Sequence, residues 1–346
     1  MIDEIYNKLK DNQTFTINIC IHEINYKIIF LPKDANEEIF INSLLIIPLN
    51  GNINNQILLE ANNCEPEFEK DEDYRNKEII KQAMETAKRL VSLTIENPSP
   101  ICIPLISSPK DGVYLQQLSY EAMQISKGKE NFRIDNQIIN IIENVKKISK
   151  EITNITMQDR IFLNGYSSSG VFAQRFSLLH PEIVDSVCIG GASGSIPVII
   201  NDIEYPLGIG NFEQIFGKEF NTNEYLKIKF RYYVGELELE RKAMDRNDEN
   251  GNPAPMHDMS YFKRSVPKAV GQKQRELYGR NLFERAYKII SDLREKGVNI
   301  SHTVIQGRGH NNIGDNIEGV NEKGDRIFKE VFKANLNSNF KKGRSK

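Results

Sequence analysis

Hydrophobic and polar positions along the chain follow two different periods. Residues 14–32 (TFTINICIHEINYKIIFLP) alternate around a short break, which predicts an antiparallel hairpin. Compact apolar runs predict further strands, and the run at 43–51 is continuous enough for a strand buried on both faces. The other predicted strands cover 101–107, 160–164, 183–190, 227–235 and 298–307.

Apolar residues at helical spacing fill most of the intervals between these strands. They are Ile80, Met84, Ala87 and Val91; Ile138, Ile141 or Ile142, Val145 and Ile148; Val171 to His180, ended by Pro181; Leu282, Ala286, Ile289 and Leu293; and Ile327, Val331 and Phe332. Strands that alternate with helices predict an α/β fold with a mostly parallel central sheet flanked by helices.

Two segments interrupt this alternation, at about 195–226 and 239–272. Each follows the C-terminal end of a predicted strand, which is where open α/β sheets form binding crevices. The aromatic and glycine residues of 205–217 suit either a lid or a packed surface excursion. No linker separates two units, so we expect a single domain over 1–335 and a disordered basic tail over 336–346.

Charge and composition exclude several classes of protein. Lys and Arg number 45 against 47 Asp and Glu, a net charge of −2, so we expect no nucleic-acid partner. The N-terminal residues lack the basic and apolar regions of a secretory signal, and no apolar run approaches the roughly 18 residues needed to span a bilayer. Four scattered cysteines form no CxxC pair. A cytoplasmic protein without a membrane partner is therefore expected.

Three consecutive serines stand between a predicted strand and a predicted helix, in RIFLNGYSSSGVFAQRF. A nucleophilic serine on a sharp strand-to-helix turn needs small residues two positions before and after it, because larger side chains would collide across the turn. Ser167 meets this condition, with Gly165 before it and Ser169 after it. Ser168 and Ser169 fit less well, since neither has a glycine two positions earlier. The usual pattern has glycine where Ser169 stands.

The segment GYSSSG after RIFLN resembles the nucleophile elbow of the α/β-hydrolase superfamily. The continuation VFAQRFSLLHPEIVDSVCIGGASG is similar to that of bacterial esterases of the poly(3-hydroxybutyrate) depolymerase-like type. The order of strands and helices extends the resemblance over roughly residues 40 to 335. It implies an α/β-hydrolase fold and a catalytic triad in the chain order serine, acid, histidine.

Position along the chain selects the partners that this resemblance implies. His310 follows the last predicted strand in a Gly-rich loop, where the superfamily keeps its base, and His257 is the rival. The acid should follow the strand at 227–235, and the superfamily's Gly-x-x-acid pattern from Gly235 points to Glu238. Neighbouring acids remain alternatives: Glu236, Glu240, Asp245 and Asp248. The remaining histidines are expected outside the site: His22, His180 and His302.

These residues predict a serine hydrolase that cleaves carboxylic esters through an acyl-enzyme. The backbone N–H of Ser168 and a donor from Asn50, after the strand at 44–48, are the predicted oxyanion hole. We expect no cofactor and no metal, since the sequence has no HExxH or Cys/His cluster, and an acyl-ester or other small-molecule substrate as partner. Two alternatives stay open: an acyltransferase with the same triad, and a non-catalytic binding protein on a hydrolase fold. The oligomeric state also stays open.

Overall fold

One central sheet organises the computed structural model, which describes residues 1–63, 70–107, 113–236, 246–247, 253–254, 265–280 and 282–305. Its strands are β1 (Phe15–Ile21), β2 (Ile24–Leu31), β3 (Asn42–Pro48), β4 (Leu58–Leu59), β5 (Ile101–Leu105), β6 (Ile161–Tyr166), β7 (Val184–Gly190), β8 (Lys229–Gly235) and β11 (Asn299–Ile305). They lie in the order β1, β2, β3, β5, β4, β6, β7, β8, β11. Two short strands, β9 (Arg246–Asn247) and β10 (Pro253–Ala254), pair with each other.

The direction of the strands divides the sheet into two parts. From β5 through β4, β6, β7 and β8 to β11, every neighbouring pair is parallel. The first three strands form an antiparallel meander, whose last strand β3 pairs antiparallel with β5. The predicted N-terminal hairpin and the predicted mostly parallel sheet are both confirmed.

Helices cover both faces of this sheet. They are α1 (Ile2–Lys10), α2 (Glu72–Leu93), α3 (Tyr120–Met123), α4 (Ile134–Thr153), α5 (Ser168–Leu179), α6 (Phe212–Phe216), α7 (Thr222–Tyr225), α8 (Lys268–Tyr278) and α9 (Leu282–Glu295). Among the described residues, no helix combines the length and the apolar composition that crossing a membrane requires.

Alternation along the strands explains the two layers of the core. Leu44 and Leu45 are consecutive in β3 and fully buried, yet they belong to different apolar clusters because successive strand side chains point to opposite faces. The cluster around Leu44 contains apolar residues of α1 and α2, such as Leu90. The cluster around Leu45 contains those of α4, α5 and α9, such as Phe172. The sheet is therefore a middle layer between helices.

Residues 195–226 pack onto the side of the sheet that carries α5. Tyr205, Phe212 and Tyr225 are buried in the same cluster as Phe172. The Tyr205 hydroxyl donates a hydrogen bond to the Leu118 carbonyl. The aromatic side chains of this insertion are therefore part of the core.

Candidate active site

The turn between β6 and α5 forces one non-glycine residue into an unusual backbone conformation. Ser167 stands between Tyr166, the last residue of β6, and Ser168, the first of α5, with φ 56° and ψ −115°. Its N–H donates to the Gly190 carbonyl of β7 at 2.9 Å. A serine with positive φ is disfavoured on its own, so the surrounding structure must impose this conformation.

The glycines around Ser167 allow the turn to be this tight. A Cβ atom on Gly165 would lie 2.2 Å from the backbone oxygen of Ser169. One on Gly170 would lie 3.0 Å from both the Cβ of Ala192 and the oxygen of Gly190. A side chain at Gly165 would therefore collide with the backbone across the turn, as the sequence pattern predicts.

Ser169 uses its side chain to close the turn at the position where the usual pattern has glycine. Its hydroxyl accepts a hydrogen bond from the Tyr166 N–H at 2.8 Å and donates one to the Tyr166 carbonyl at 3.0 Å. The Ser169 N–H donates to Oδ1 of Asn63 at 3.2 Å. The departure from glycine therefore adds a brace between the end of the strand and the first turn of the helix.

Ser168 lies at the N-terminus of α5, beside Ser167. The first N–H groups of a helix have no partner within it and carry the positive end of its dipole, so they favour an anion. The Ser168 hydroxyl accepts a hydrogen bond from Nε2 of Gln117 at 2.9 Å. The Gln117 carbonyl accepts from the buried Arg175 of α5 at 2.9 Å. The Ser168 hydroxyl is thus held in place by Gln117, and its N–H stays a predicted oxyanion-hole donor.

Asn50 lies at the opposite edge of the sheet from Ser167. In the antiparallel pair of β3 and β5, Asn42 is opposite Leu105 and Ile46 is opposite Ile101. β3 therefore ends level with the N-terminal ends of the parallel strands, whereas Ser167 follows the C-terminal end of β6. The Asn50 amide is bound in the hairpin, where it accepts from the Asn25 N–H at 2.6 Å and donates to the Glu23 carbonyl at 3.0 Å. The prediction for Asn50 is wrong.

The loop that lies beside the elbow follows β4 instead. β4 is parallel to both β5 and β6, and it pairs through only Leu58 and Leu59. After it, Asn62 exchanges two hydrogen bonds with the backbone of Ile106, of 3.0 and 2.8 Å, and Asn63 binds Ser169. Two residues are too few for a periodic pattern, so the signal available in the sequence was the apolar run ILL before EANN.

Glu238 and His310 lie outside the described residues, as do the alternatives Glu240, Asp245, Asp248 and His257. The strands that precede the predicted acid and base are described. β8 ends at Gly235, directly opposite Ile305, the last residue of β11. Tyr166 lies opposite Gly190, and Gly190 opposite Tyr233 of β8. The chain therefore leaves β6, β8 and β11 at the same edge of the sheet.

The three histidines expected outside the site are all described, and none lies at this turn. His22 occupies the β1–β2 hairpin turn with φ 47°. His180 caps the C-terminal end of α5 and contacts Asp135 through Nε2 at 2.8 Å. His302 lies within β11 against Tyr287, where burial first and the nearby Arg294 second lower its pKa to about 4. Within the described ranges no cluster of three or more His, Cys, Asp or Glu residues could hold a metal ion.

The strand order and the strained turn after β6 are those of an α/β-hydrolase fold. The chain matches no family model. It also matches no curated protein. Solved structures similar to it include poly(aspartic acid) hydrolase-1 from Sphingomonas sp. KT-1, with 13% identity and a TM-score of 0.48 over 92% of this chain and 97% of that one. The poly(3-hydroxybutyrate) depolymerase LpqC from Bordetella parapertussis has 11% identity and a TM-score of 0.48 over 95% of this chain and 91% of that one.

Proposed function

We propose that this protein is a serine hydrolase that cleaves carboxylic esters, with Ser167 as nucleophile, His310 as general base and Glu238 as the acid that orients the histidine. One observation carries the proposal: a serine with φ 56° at the junction of β6 and α5. Such a conformation costs on the order of 1–3 kcal/mol and is typical of functional turns. The turn places Ser167 at the edge of the sheet where the chain also leaves β8 and β11.

The chemistry requires a proton acceptor for the serine. The Ser167 Oγ would attack the ester carbonyl carbon while His310 takes the hydroxyl proton, and His310 would return that proton to the leaving alkoxide. Water, activated by the same histidine, would then hydrolyse the acyl-serine ester and regenerate the hydroxyl. Glu238 would hold the imidazole in the required tautomer and stabilise its protonated form.

The tetrahedral oxyanion needs donors that are in place before the reaction. We assign one to the Ser168 N–H and the second to the loop after β4, which replaces Asn50 in this role. That loop reaches the elbow through the contact between Asn63 and Ser169. In related enzymes, removing one such donor lowers kcat by about 10²–10³-fold.

A fluorophosphonate probe tests this proposal directly, because it phosphonylates an activated serine. We expect one adduct by intact mass, mapped to Ser167, together with hydrolysis of p-nitrophenyl acetate. Ser167→Ala should abolish the adduct and lower the hydrolysis rate by up to about 10⁶.

Ser126→Ala is the matched control, since Ser126 is exposed in the loop between α3 and α4. The fluorophosphonate should label Ser126→Ala as it labels wild type, and this variant should hydrolyse p-nitrophenyl acetate at the wild-type rate. An adduct that persists in Ser167→Ala, or a folded wild type that neither labels nor hydrolyses the ester, would contradict the proposed function.

A further inference from the structure

A buried carboxylate lies beneath the elbow. Glu60 directly follows β4 and is 3% exposed. Both of its oxygens accept from Nη2 of Arg89 on α2, at 2.7 and 2.8 Å, and one also accepts from Nδ2 of Asn164 at 2.5 Å. Burying a charge is costly even when it is paired, and an apolar replacement is often as stable. Stability alone therefore gives little reason for a glutamate here.

The partners of Glu60 connect it to both sides of the proposed oxyanion hole. Asn164 is buried in β6, three residues before Ser167. Asn63, three residues after Glu60, accepts the Ser169 N–H of α5. The carboxylate thus links the strand that leads to the nucleophile with the loop that approaches it.

The length of β4 explains why this link is needed. Its pairing with β6 ends at Leu59 opposite Leu163, so Glu60 and Asn164 form the next cross-strand pair. The Glu60 N–H still bonds to the Cys102 carbonyl of β5 at 3.1 Å. On the β6 side, the side-chain bond to Asn164 holds the chain where it leaves the sheet. The contact with Arg89 adds a third anchor on the helix that packs against β5.

We propose that Glu60 is a positioning residue, which sets the loop after β4 at the correct distance from Ser167 through Asn164 and Arg89. This inference rests on the proposed function. Glu60 does not contact the reacting atoms. Its loss would leave the nucleophile in place and displace the second oxyanion donor, which lowers the rate of the chemical step rather than substrate affinity.

The test compares Glu60→Ala and Glu60→Gln with wild type, in p-nitrophenyl acetate hydrolysis and in the rate of fluorophosphonate labelling. We expect Glu60→Ala to lower kcat by about 10–100-fold with KM within about threefold, since a misplaced donor costs less than a deleted one. Glu60→Gln keeps an acceptor for Asn164 and should recover part of the lost kcat. Labelling of Ser167 should slow in parallel with kcat.

Glu224→Gln is the matched control. Glu224 pairs with Arg160, which directly precedes β6, so this variant breaks another partly buried ion pair of the same strand at its other end. It should lower the midpoint of urea unfolding with kcat unchanged. Unchanged kcat in Glu60→Ala, a rise in KM alone, or a loss of kcat matched by Glu224→Gln would overturn the positioning role. A wild type that does not label at Ser167 would instead overturn the proposed function.

Discussion

Gly165 is the residue whose size the elbow limits most severely. A Cβ atom there would lie 2.2 Å from the Ser169 oxygen and 2.4 Å from the Ser169 carbonyl carbon. Both are backbone atoms, so no side-chain rotation can relieve the overlap. The first turn of α5 would have to move, together with Ser167 and the Ser169 brace.

Gly165→Ala should therefore destabilise the fold and lower the proposed esterase activity. We expect a loss of about 1–3 kcal/mol in the free energy of unfolding, measured in urea, because overpacking forces backbone shifts of this cost. The proposed esterase activity should fall by at least about 10²-fold, since Ser167, the proposed nucleophile, would be displaced. Gly271→Ala is the control: Gly271 is inside α8, and a Cβ there meets its nearest neighbour at 3.5 Å. The free energy of unfolding of Gly271→Ala should be about 0.5–1 kcal/mol higher than that of wild type. Equal effects at the two glycines would argue against the tight turn.

Two helices, α4 and α5, are joined at their ends by a buried charged cluster. Asp135, in the first turn of α4, is fully buried. It accepts from Arg133 at 2.8 and 2.6 Å, and it contacts Nε2 of His180 at 2.8 Å. Burial by itself would raise the pKa of Asp135, but the hydrogen bonds from Arg133 and His180 hold it well below its usual range. The ionised carboxylate thus ties the start of α4 to the end of the helix that carries the elbow.

Asp135→Asn should lower the free energy of unfolding by about 3–5 kcal/mol at pH 7, since it breaks a buried ion pair by removing one partner. Because the folded pKa is depressed, the wild-type stabilisation is complete above the unfolded value of about 3.9 and is lost as pH falls toward the folded value. The difference in the free energy of unfolding between wild type and Asp135→Asn, measured in urea, should therefore become smaller below about pH 4. The control, Glu143→Gln, breaks a surface pair with Lys146 and should cost less than about 1 kcal/mol. A difference that stays constant between pH 7 and pH 3 would contradict this assignment.

For the whole molecule, the sequence predicts the alternation of strands and helices well. Buried strands such as β5 and β7, and amphipathic helices such as α2 and α4, each carry enough residues to show a period. The elbow is equally predictable, because the tight turn restricts the residues on both sides of Ser167 to small ones.

The error at Asn50 has a physical origin. The run at 43–51 is apolar on both faces, as a central parallel strand would be, yet it forms an antiparallel strand. A strand buried on both faces has the same continuous apolar pattern whichever way its neighbours run, so the pattern does not reveal the direction of β3. β4, which does precede the loop at the elbow, has two residues and is held by the side chains of Glu60 and Asn62. Contacts between residues about 100 positions apart, such as Glu60 with Asn164, follow from the folded chain alone.

Global stability between pH 6.5 and 4 should depend on His302 in the edge strand β11. In the part of the chain that the structure describes, neither of its ring nitrogens has a hydrogen-bond partner, and its pKa is lowered to about 4. The unfolded chain takes up this proton near pH 6.5, whereas the folded chain does so only near pH 4. The contribution of His302 to the free energy of unfolding should therefore be constant above about pH 6.5 and decrease as pH falls through this window.

Urea unfolding at pH 7, 5.5 and 4.5 measures this dependence. His302→Gln, which does not titrate, should show a smaller decrease than wild type. His22→Gln is the control, since His22 is exposed in a hairpin turn. It should follow the wild-type curve throughout. An identical decrease in His302→Gln and wild type would assign the acid sensitivity to another part of the fold.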